Sequence, residues 1–353
     1  MWEHIREQAD ALAAASARNR DAAERLARRL ADAPVIVLAG IGSSLHAAML
    51  GEYWMRAIGG VDSARAQNSF ELMHYAKGLD SGAAVVAISH RGWPVFAPSL
   101  AADGNLDRIV KAAICGEDPR AGARAADFVF VTTPQEKSGA HTKSLTGAMA
   151  VLFEIAAATA IFRGRRDRAE SARREFAEVP ARFSRRIAQP SAERAAAEEF
   201  RTRRRILLIG AGPAYACARE GALKLKEATF TYAEGLETEE FLHGPIASLD
   251  AETLLVLISI GDAGSHRIVQ AARAAGEIGA ARLAIVTEAE NELPKYAERV
   301  IRVAGREEAT SVFPIILSLQ LFTYFSALAR GCDPDRNHRE DPRYARAASQ
   351  FEL

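Results

Sequence analysis

The stretch of this 353-residue sequence best equipped for chemistry is Glu220-Gly221-Ala222-Leu223-Lys224-Leu225-Lys226-Glu227, with His243-Gly244-Pro245 beginning sixteen residues after Glu227. Residues three apart share a helix face, so Lys224 and Glu227 would set an ammonium beside a carboxylate, a pair able to move a proton. The same spacing also fits a surface ion pair, and His243 also fits a plain loop histidine. Three further segments gather anion-binding groups. Gly40-Ile41-Gly42-Ser43-Ser44 joins a glycine turn and two hydroxyls to a helix start, whose unpaired amides and positive dipole end suit a phosphate or carboxylate. It equally fits a turn in which Ser43 or Ser44 only caps the helix. Ile88-Ser89-His90-Arg91-Gly92-Trp93-Pro94 supplies a Ser89 hydroxyl and an Arg91 guanidinium fork matched to a phosphate dianion, or else a buried turn packed by Trp93. Gly139-Ala140-His141-Thr142-Lys143-Ser144 opens a long helix and adds donors at its N-terminus.

These groups need elements to hold them. Sliding the chain along itself by about 170 residues reveals an internal repeat. Ile36–Gly42 matches Ile206–Gly212, each an apolar strand, a GxG turn and a helix start. Ala84–Ser89 then matches Leu254–Ser259. Strand candidates follow at Ala112–Cys115 and Leu283–Val286, and at Phe128–Thr132 and Val300–Ala304. Each half closes on a long apolar helix, Thr142–Phe162 and Ser311–Arg330. Continuous apolar strands alternating with crossover helices predict α/β units with parallel sheets, which bind ligands at the C-terminal strand edge. The expected organisation is an N-terminal helical segment (2–31) with a first unit over 1–163, a helical connection over 164–204, a second unit over 205–330 and a tail over 331–353. A dinucleotide fingerprint is disfavoured, because its third glycine would fall at Leu45 and at Tyr215.

Composition narrows the partners. Lys+Arg 45 balances Asp+Glu 45, so there is no general attraction to nucleic acid or an anionic membrane, and an anion site must be local. Arg201-Thr202-Arg203-Arg204-Arg205 beside Glu198 and Glu199 reads as a solvated helix end rather than a nucleic-acid arm. Cys115, Cys217 and Cys332 imply neither a disulfide framework nor a zinc site, and a reducing cytoplasm is expected. The charged start Met1–Glu7 lacks an export signal, and Gly147–Phe162, interrupted by Glu154, reads as a buried helix rather than a span.

The run Glu220–Glu227 through Ala233-Glu234 to His243-Gly244-Pro245, with His4-Ile5-Arg6-Glu7-Gln8 as an opening helix, resembles the sugar isomerase (SIS) domain proteins. Within that family it is similar to the isomerase domain of glucosamine-6-phosphate synthase. The resemblance implies two similar three-layer α/β/α SIS subdomains with parallel sheets, at least a dimer, and a hexose or hexosamine phosphate as substrate. It implies that Glu227 moves a proton between C1 and C2 of the open-chain sugar, that His243 assists ring opening from this or a neighbouring subunit, and that Lys224 supports the site. Ser43, Ser44 and Ser89 match phosphate-holding positions, Thr142 and Lys143 match the start of the following helix, and Arg91 is a candidate replacement for lost hydroxyls. Aldose–ketose exchange needs a base and a polarised carbonyl, so no metal or cofactor is expected. The related amination or deamination is the second chemistry in view. The sequence departs from the synthase by having no room for a glutaminase domain, so glutamine is not expected as its own ammonia source. Its loop reads Ser89–Pro94 where the synthase is rich in Ser and Thr. No lysine follows Lys295, leaving Arg343 and Arg346 as the tail's cations. A noncatalytic sugar-phosphate-binding regulator is the alternative from another class.

Overall fold

The computed structural model describes residues 1–93, 96–336, 338 and 341–350; Pro94 and, in the predicted tail, residues 337, 339, 340 and 351–353 lie outside that set. Helices α1 (Trp2–Arg6) and α2 (Gln8–Leu30) lead into β1 (Ile36–Gly40), α3 (Ser43–Ala57), β2 (Ala64–Asn68), α4 (Ser69–His74), β3 (Ala84–Ile88), β4 (Val110–Cys115), α5 (Ala121–Arg124), β5 (Phe128–Val131) and α6 (Lys143–Phe162). Three helices follow, α7 (Arg166–Ala177), α8 (Val179–Ala188) and α9 (Ser191–Glu199). A second series comprises β6 (Arg205–Gly210), α10 (Pro213–Thr229), β7 (Tyr232–Glu237), α11 (Thr238–Leu242), β8 (Thr253–Ser259), α12 (Ser265–Ile278), β9 (Ala281–Thr287), β10 (Arg299–Val303) and α13 (Glu308–Ala329), with α14 (Pro342–Ala348) in the tail.

The sheets run β2-β1-β3-β4-β5 and β7-β6-β8-β9-β10, the same order in both units, and every paired strand is parallel. Strands β1, β3 and β8 are buried at every residue, as expected of strands covered on both faces, so each unit is a three-layer α/β/α sandwich. The apolar runs of the sequence fall on these central strands. The edge strands β2 (ARAQN) and β7 (YAEGLE) were not anticipated, because strands covered on one side carry polar residues and no apolar run.

Each unit makes the same tight turn from strand to helix. Gly42 and Gly212 lie at φ 58° and 52°, in the region that favours glycine. A Cβ on Gly40 would sit 2.4 Å from the Ser44 carbonyl carbon, and one on Gly210 would sit 2.5 Å from the Ala214 carbonyl oxygen, so backbone occupies the space a side chain would need.

Both long helices, α6 and α13, are long and apolar enough to cross a membrane, and both are mostly buried within the protein. Their polar residues are answered internally. Glu154, wholly buried on α6, accepts from Ser16 at 2.7 Å and pairs with Arg20 and Arg173, each at 3.1 Å. Across α13, Ser318 donates to buried Glu193 at 2.8 Å, and Arg186 pairs with the same carboxylate at 2.6 Å. The expectation of solvated connecting helices over 164–204 therefore holds for one face only. Phe176 of α7 stacks on Phe153 of α6 at 4.6 Å and Phe183 of α8 is fully buried, because apolar residues at helical spacing among the arginines find the core helices. In the arginine cluster, Arg201 pairs with Glu198 at 2.9 Å and Arg205 with Asp250.

The units join through α3 and α10, which pack together, and through an aromatic cluster. Trp54 of α3 is fully buried, stacks on Phe313 of α13 at 5.4 Å, meets Phe153 edge-on at 5.6 Å and donates its indole N–H to Ala309 at 2.8 Å. Trp54→Ala removes both the ring and the hydrogen bond, and a loss of about 3–5 kcal/mol of stability is expected in denaturant unfolding. A loss below about 1 kcal/mol would show that this cluster does not brace the two units.

Candidate active site

A cleft of about 910 Å³ opens at the C-terminal edge of the first sheet and is closed on its far side by α10 of the second unit. It brings together Ser43, Ser44, Ser89, Arg91, Lys224 and Glu227. The sequence-predicted residues thus meet across the two units, with the hydroxyls and guanidinium contributed by the first and the acid–base pair by the second.

The pair is not a surface ion pair. Lys224 is 1% exposed, and its ammonium lies 2.5 Å from Glu227 and 3.7 Å from Glu220, one turn earlier on the same helix. Glu220 is equally buried and is held by Ser43, which donates to it at 3.0 Å, and by the His46 ring at 2.7 Å. Burial opposes the charge on Lys224, yet the two carboxylates outweigh it and hold its pKa above the ordinary value. Burial also opposes the charge on Glu220, but Lys224, His46 and Ser43 together hold its pKa low. For Glu227 burial wins: it pushes the carboxyl above the usual range despite the pull of Lys224, the direction that suits a proton acceptor working near neutrality. Glu220 and His46 were missed from sequence. Glu220 precedes Lys224 by four residues and so shared its helix face, but His46 meets it only through tertiary packing.

The hydroxyls divide by what they already bond. Ser43 donates its hydroxyl hydrogen bond to Glu220. Ser89 accepts the Trp93 N–H at 3.0 Å, which leaves its own proton to donate, and Ser44 has no side-chain partner among the described residues. Arg91 is exposed and has no ion-pair partner among those residues. Trp93 lies at the rim with the Arg120 guanidinium 3.7 Å over its ring.

The predicted anion site at the start of α6 is filled from within. The buried Glu136 carboxylate accepts the Thr142 N–H at 2.9 Å, the Ser144 N–H at 2.7 Å and the Thr142 hydroxyl at 3.3 Å, and meets His4 at 3.0 Å. Thr142 is fully buried and does not line the cleft, and Lys143 turns to Glu7 at 2.5 Å. Ser144 and His141 line the cleft instead. A helix N-terminus attracts the nearest carboxylate, and the loop returns Glu136 to it. His243 also lies elsewhere: its side chain is 74% exposed, bonded to the Glu239 carbonyl at 2.8 Å, and it is not among the residues lining this cleft. Of the tail cations, Arg343 pairs with Asp341 at 2.7 Å, and neither it nor Arg346 lines the cleft. Among the described residues, no group of three or more His, Cys, Asp or Glu side chains could hold a metal.

The architecture is a pair of three-layer α/β/α units, with acid–base and anion-binding groups gathered in one cleft. The family model for the SIS domain matches residues 199–329. The chain is 29% identical over 303 residues to the glutamine–fructose-6-phosphate aminotransferase of Methanosarcina acetivorans, covering 84% of this chain and 48% of that relative. It therefore spans about half the length of the curated relatives it matches. Among solved structures, the C-terminal domain of glucosamine-fructose-6-phosphate aminotransferase from Francisella tularensis aligns with TM-score 0.82 at 22% identity, over 94% of this chain and 96% of that one. The tagatose-6-phosphate ketose/aldose isomerase of Escherichia coli aligns with TM-score 0.76 at 19% identity, over 96% and 95%. Residues 199–329 are a SIS domain, within a chain homologous to the isomerase domain of the glutamine–fructose-6-phosphate aminotransferases.

Glu136 supplies a charge-specific stability test. Burial opposes its charge, but His4, Ser144 and Thr142 overcome this and hold its pKa far below the ordinary 4.5. A depressed carboxyl stabilises the fold above its unfolded-state pKa, and that contribution is lost as pH falls. Glu136→Gln should lower stability by about 1.5–3 kcal/mol at pH 7. The difference should shrink below about pH 4.5, as read by thermal melts across pH. A pH-independent difference would contradict a charge-based cap.

Proposed function

We propose that this protein is a phosphosugar isomerase that interconverts the aldose and ketose forms of a hexose or hexosamine phosphate. The observation that carries this reading is the Glu220–Lys224–Glu227 array, buried at Glu220 and Lys224 and half-buried at Glu227, facing hydroxyl and guanidinium groups across one cleft. The similarity to an isomerizing aminotransferase and to a ketose/aldose isomerase supports the same class.

In this reading Ser44, Ser89 and Arg91 hold the phosphate and fix the open-chain sugar with C1 and C2 beside Glu227. Glu227 takes the C2 proton, the C–H electrons form the C1–C2 double bond, and the carbonyl electrons move to O1. Return of that proton to C1, with transfer of the O2 proton to O1 and formation of the C2 carbonyl, gives the ketose with its C1 hydroxyl and no net redox change. Lys224 orients Glu227 and supplies the nearest positive charge to the enediolate as it develops. Glu220 keeps Lys224 charged, with Ser43 and His46 holding Glu220. Because His243 stands outside this chain's cleft, the proposal includes a homodimer in which a second copy supplies that histidine for ring opening.

Glu227→Gln should retain hexose 6-phosphate binding while turnover falls at least ~100-fold, the usual scale of general-base catalysis. Ketose formation and ammonia release over a panel of hexose and hexosamine 6-phosphates check this. Binding without turnover by the unaltered protein on every compound would support a noncatalytic regulator instead. The acid limb of kcat/KM should rise through the elevated Glu227 pKa. Lys224→Met removes a cation that favours the carboxylate, so the limb should move up by about 1 pH unit or more; an unmoved limb would separate Lys224 from the base. Mixed Glu227→Gln and His243→Ala chains should recover activity that neither has alone. Failure to recover it would count against a shared site.

A further inference from the structure

Two histidines occupy the phosphate side of the cleft, and the proposed isomerisation uses neither. His90 follows Ser89 on the loop after β3, and His141 precedes α6; both line the cleft. Their rings meet edge to face, with centroids 5.5 Å apart and planes at 82°. The His90 backbone is pinned: its carbonyl accepts the Gly116 N–H at 2.9 Å and the Gln135 side-chain amide at 3.1 Å. Its ring lies flush on Gly116, where an added Cβ would come within 2.5 Å of His90 Cε1. Both ring nitrogens of His90 are buried and have no hydrogen-bond partner among the described residues. Buried donors and acceptors are ordinarily paired, so a rigidly held imidazole without a partner, beside Ser89 and Arg91, marks a place where a ligand makes the missing bond.

We propose that His90 and His141 together grip the phosphoryl group of the substrate and take up a proton as they do so. The inference takes its ligand from the phosphosugar reading and adds a residue pair and a proton linkage to it. Around His90 stand His141, the Glu136 carboxylate, the Arg91 guanidinium and the Lys143 ammonium. Around His141 stand Glu136, Lys224, Arg91 and His4. Burial first, then the neighbouring His141, pushes the His90 pKa down to about 4. His141 is also lowered, chiefly by burial, with Lys224 and Arg91 adding to the shift against Glu136. Both rings are therefore neutral near pH 7. A phosphate dianion placed against them reverses the balance, since a nearby negative charge favours imidazolium and a charged donor makes the stronger bond. Affinity then rises as pH falls through the pKa of the phosphate-bound pair.

The test is titration calorimetry with sorbitol 6-phosphate and with inorganic phosphate, in buffers of different ionisation heat. Subtracting the His90→Gln, His141→Ser protein from the unaltered one removes the phosphate's own titration. His90→Gln alone keeps a hydrogen-bonding side chain of similar length without the titration. The unaltered protein should take up about 0.5–1 proton per ligand at pH 7.5, and its affinity should rise by up to about tenfold per pH unit of acidification. The double variant should take up close to none beyond the phosphate's share. Proton uptake with inorganic phosphate that the double variant loses supports the pair, even if sorbitol 6-phosphate binds no better and no sugar phosphate turns over. That combination would remove the isomerase reading alone. Sugar-phosphate turnover with equal proton uptake in the double variant would overturn the histidine pair and leave the isomerase reading standing. Failure of the unaltered protein to bind either probe would overturn the pair as well.

Discussion

A lysine ammonium with 1% exposure cannot persist without compensation, and the way Lys224 is compensated organises the site around it. Two carboxylates on its own helix flank it, and one of them, Glu220, reaches out of the second unit to Ser43 and His46 of the first. The same bonds that satisfy a buried charge therefore fix how α3 and α10 face each other. They also commit the Ser43 hydroxyl hydrogen to Glu220, so that Ser44 and Ser89 are the cleft serines left with a hydrogen to donate. Breaking this array at Glu220 would leave a buried cation beside a single carboxylate and would loosen the Gly40–Ser44 turn and Glu227 together.

The same logic recurs where the long helices are apolar almost all round. Glu154 and Glu193 are wholly buried; Glu154 is matched by Arg20 of α2 and Arg173 of α7, and Glu193 by Arg186 of the preceding helix. Helices α7, α8 and α9 thus cover the core helices while bringing the guanidinium groups that buried carboxylates require. At the start of α6, Glu136 performs the corresponding service for the buried, otherwise unpaired amides of Thr142 and Ser144. An internal carboxylate at that helix end repels a second anion, so Ser44, Ser89, Arg91 and the two histidines are the cleft groups left to meet one.

Much of the fold could be read from the chain. The central strands announce themselves because burial on both faces requires uninterrupted apolar residues, and the glycine turns because Gly42 and Gly212 occupy a conformation that other residues resist. Edge strands β2 and β7 carry no such mark. At the site, the Lys224–Glu227 face and the cleft-lining Ser44, Ser89 and Arg91 could be picked out by type and spacing. The burial that separates a functional ion pair from a surface one could not, and neither could the diversion of Thr142 to Glu136, since both depend on contacts between distant segments.

By itself, the sequence determined which local elements form and which residues carry chemically useful groups, because propensity, periodicity and helix spacing act over a few neighbours. Tertiary structure alone decided which of those groups share a space. It joined His46 to Glu220 and His90 to His141, and left His243 exposed away from the cleft. The strength of an ionic or hydrogen-bonding group depends on burial and on partners within a few ångströms, and those are properties of the packed chain rather than of any one segment.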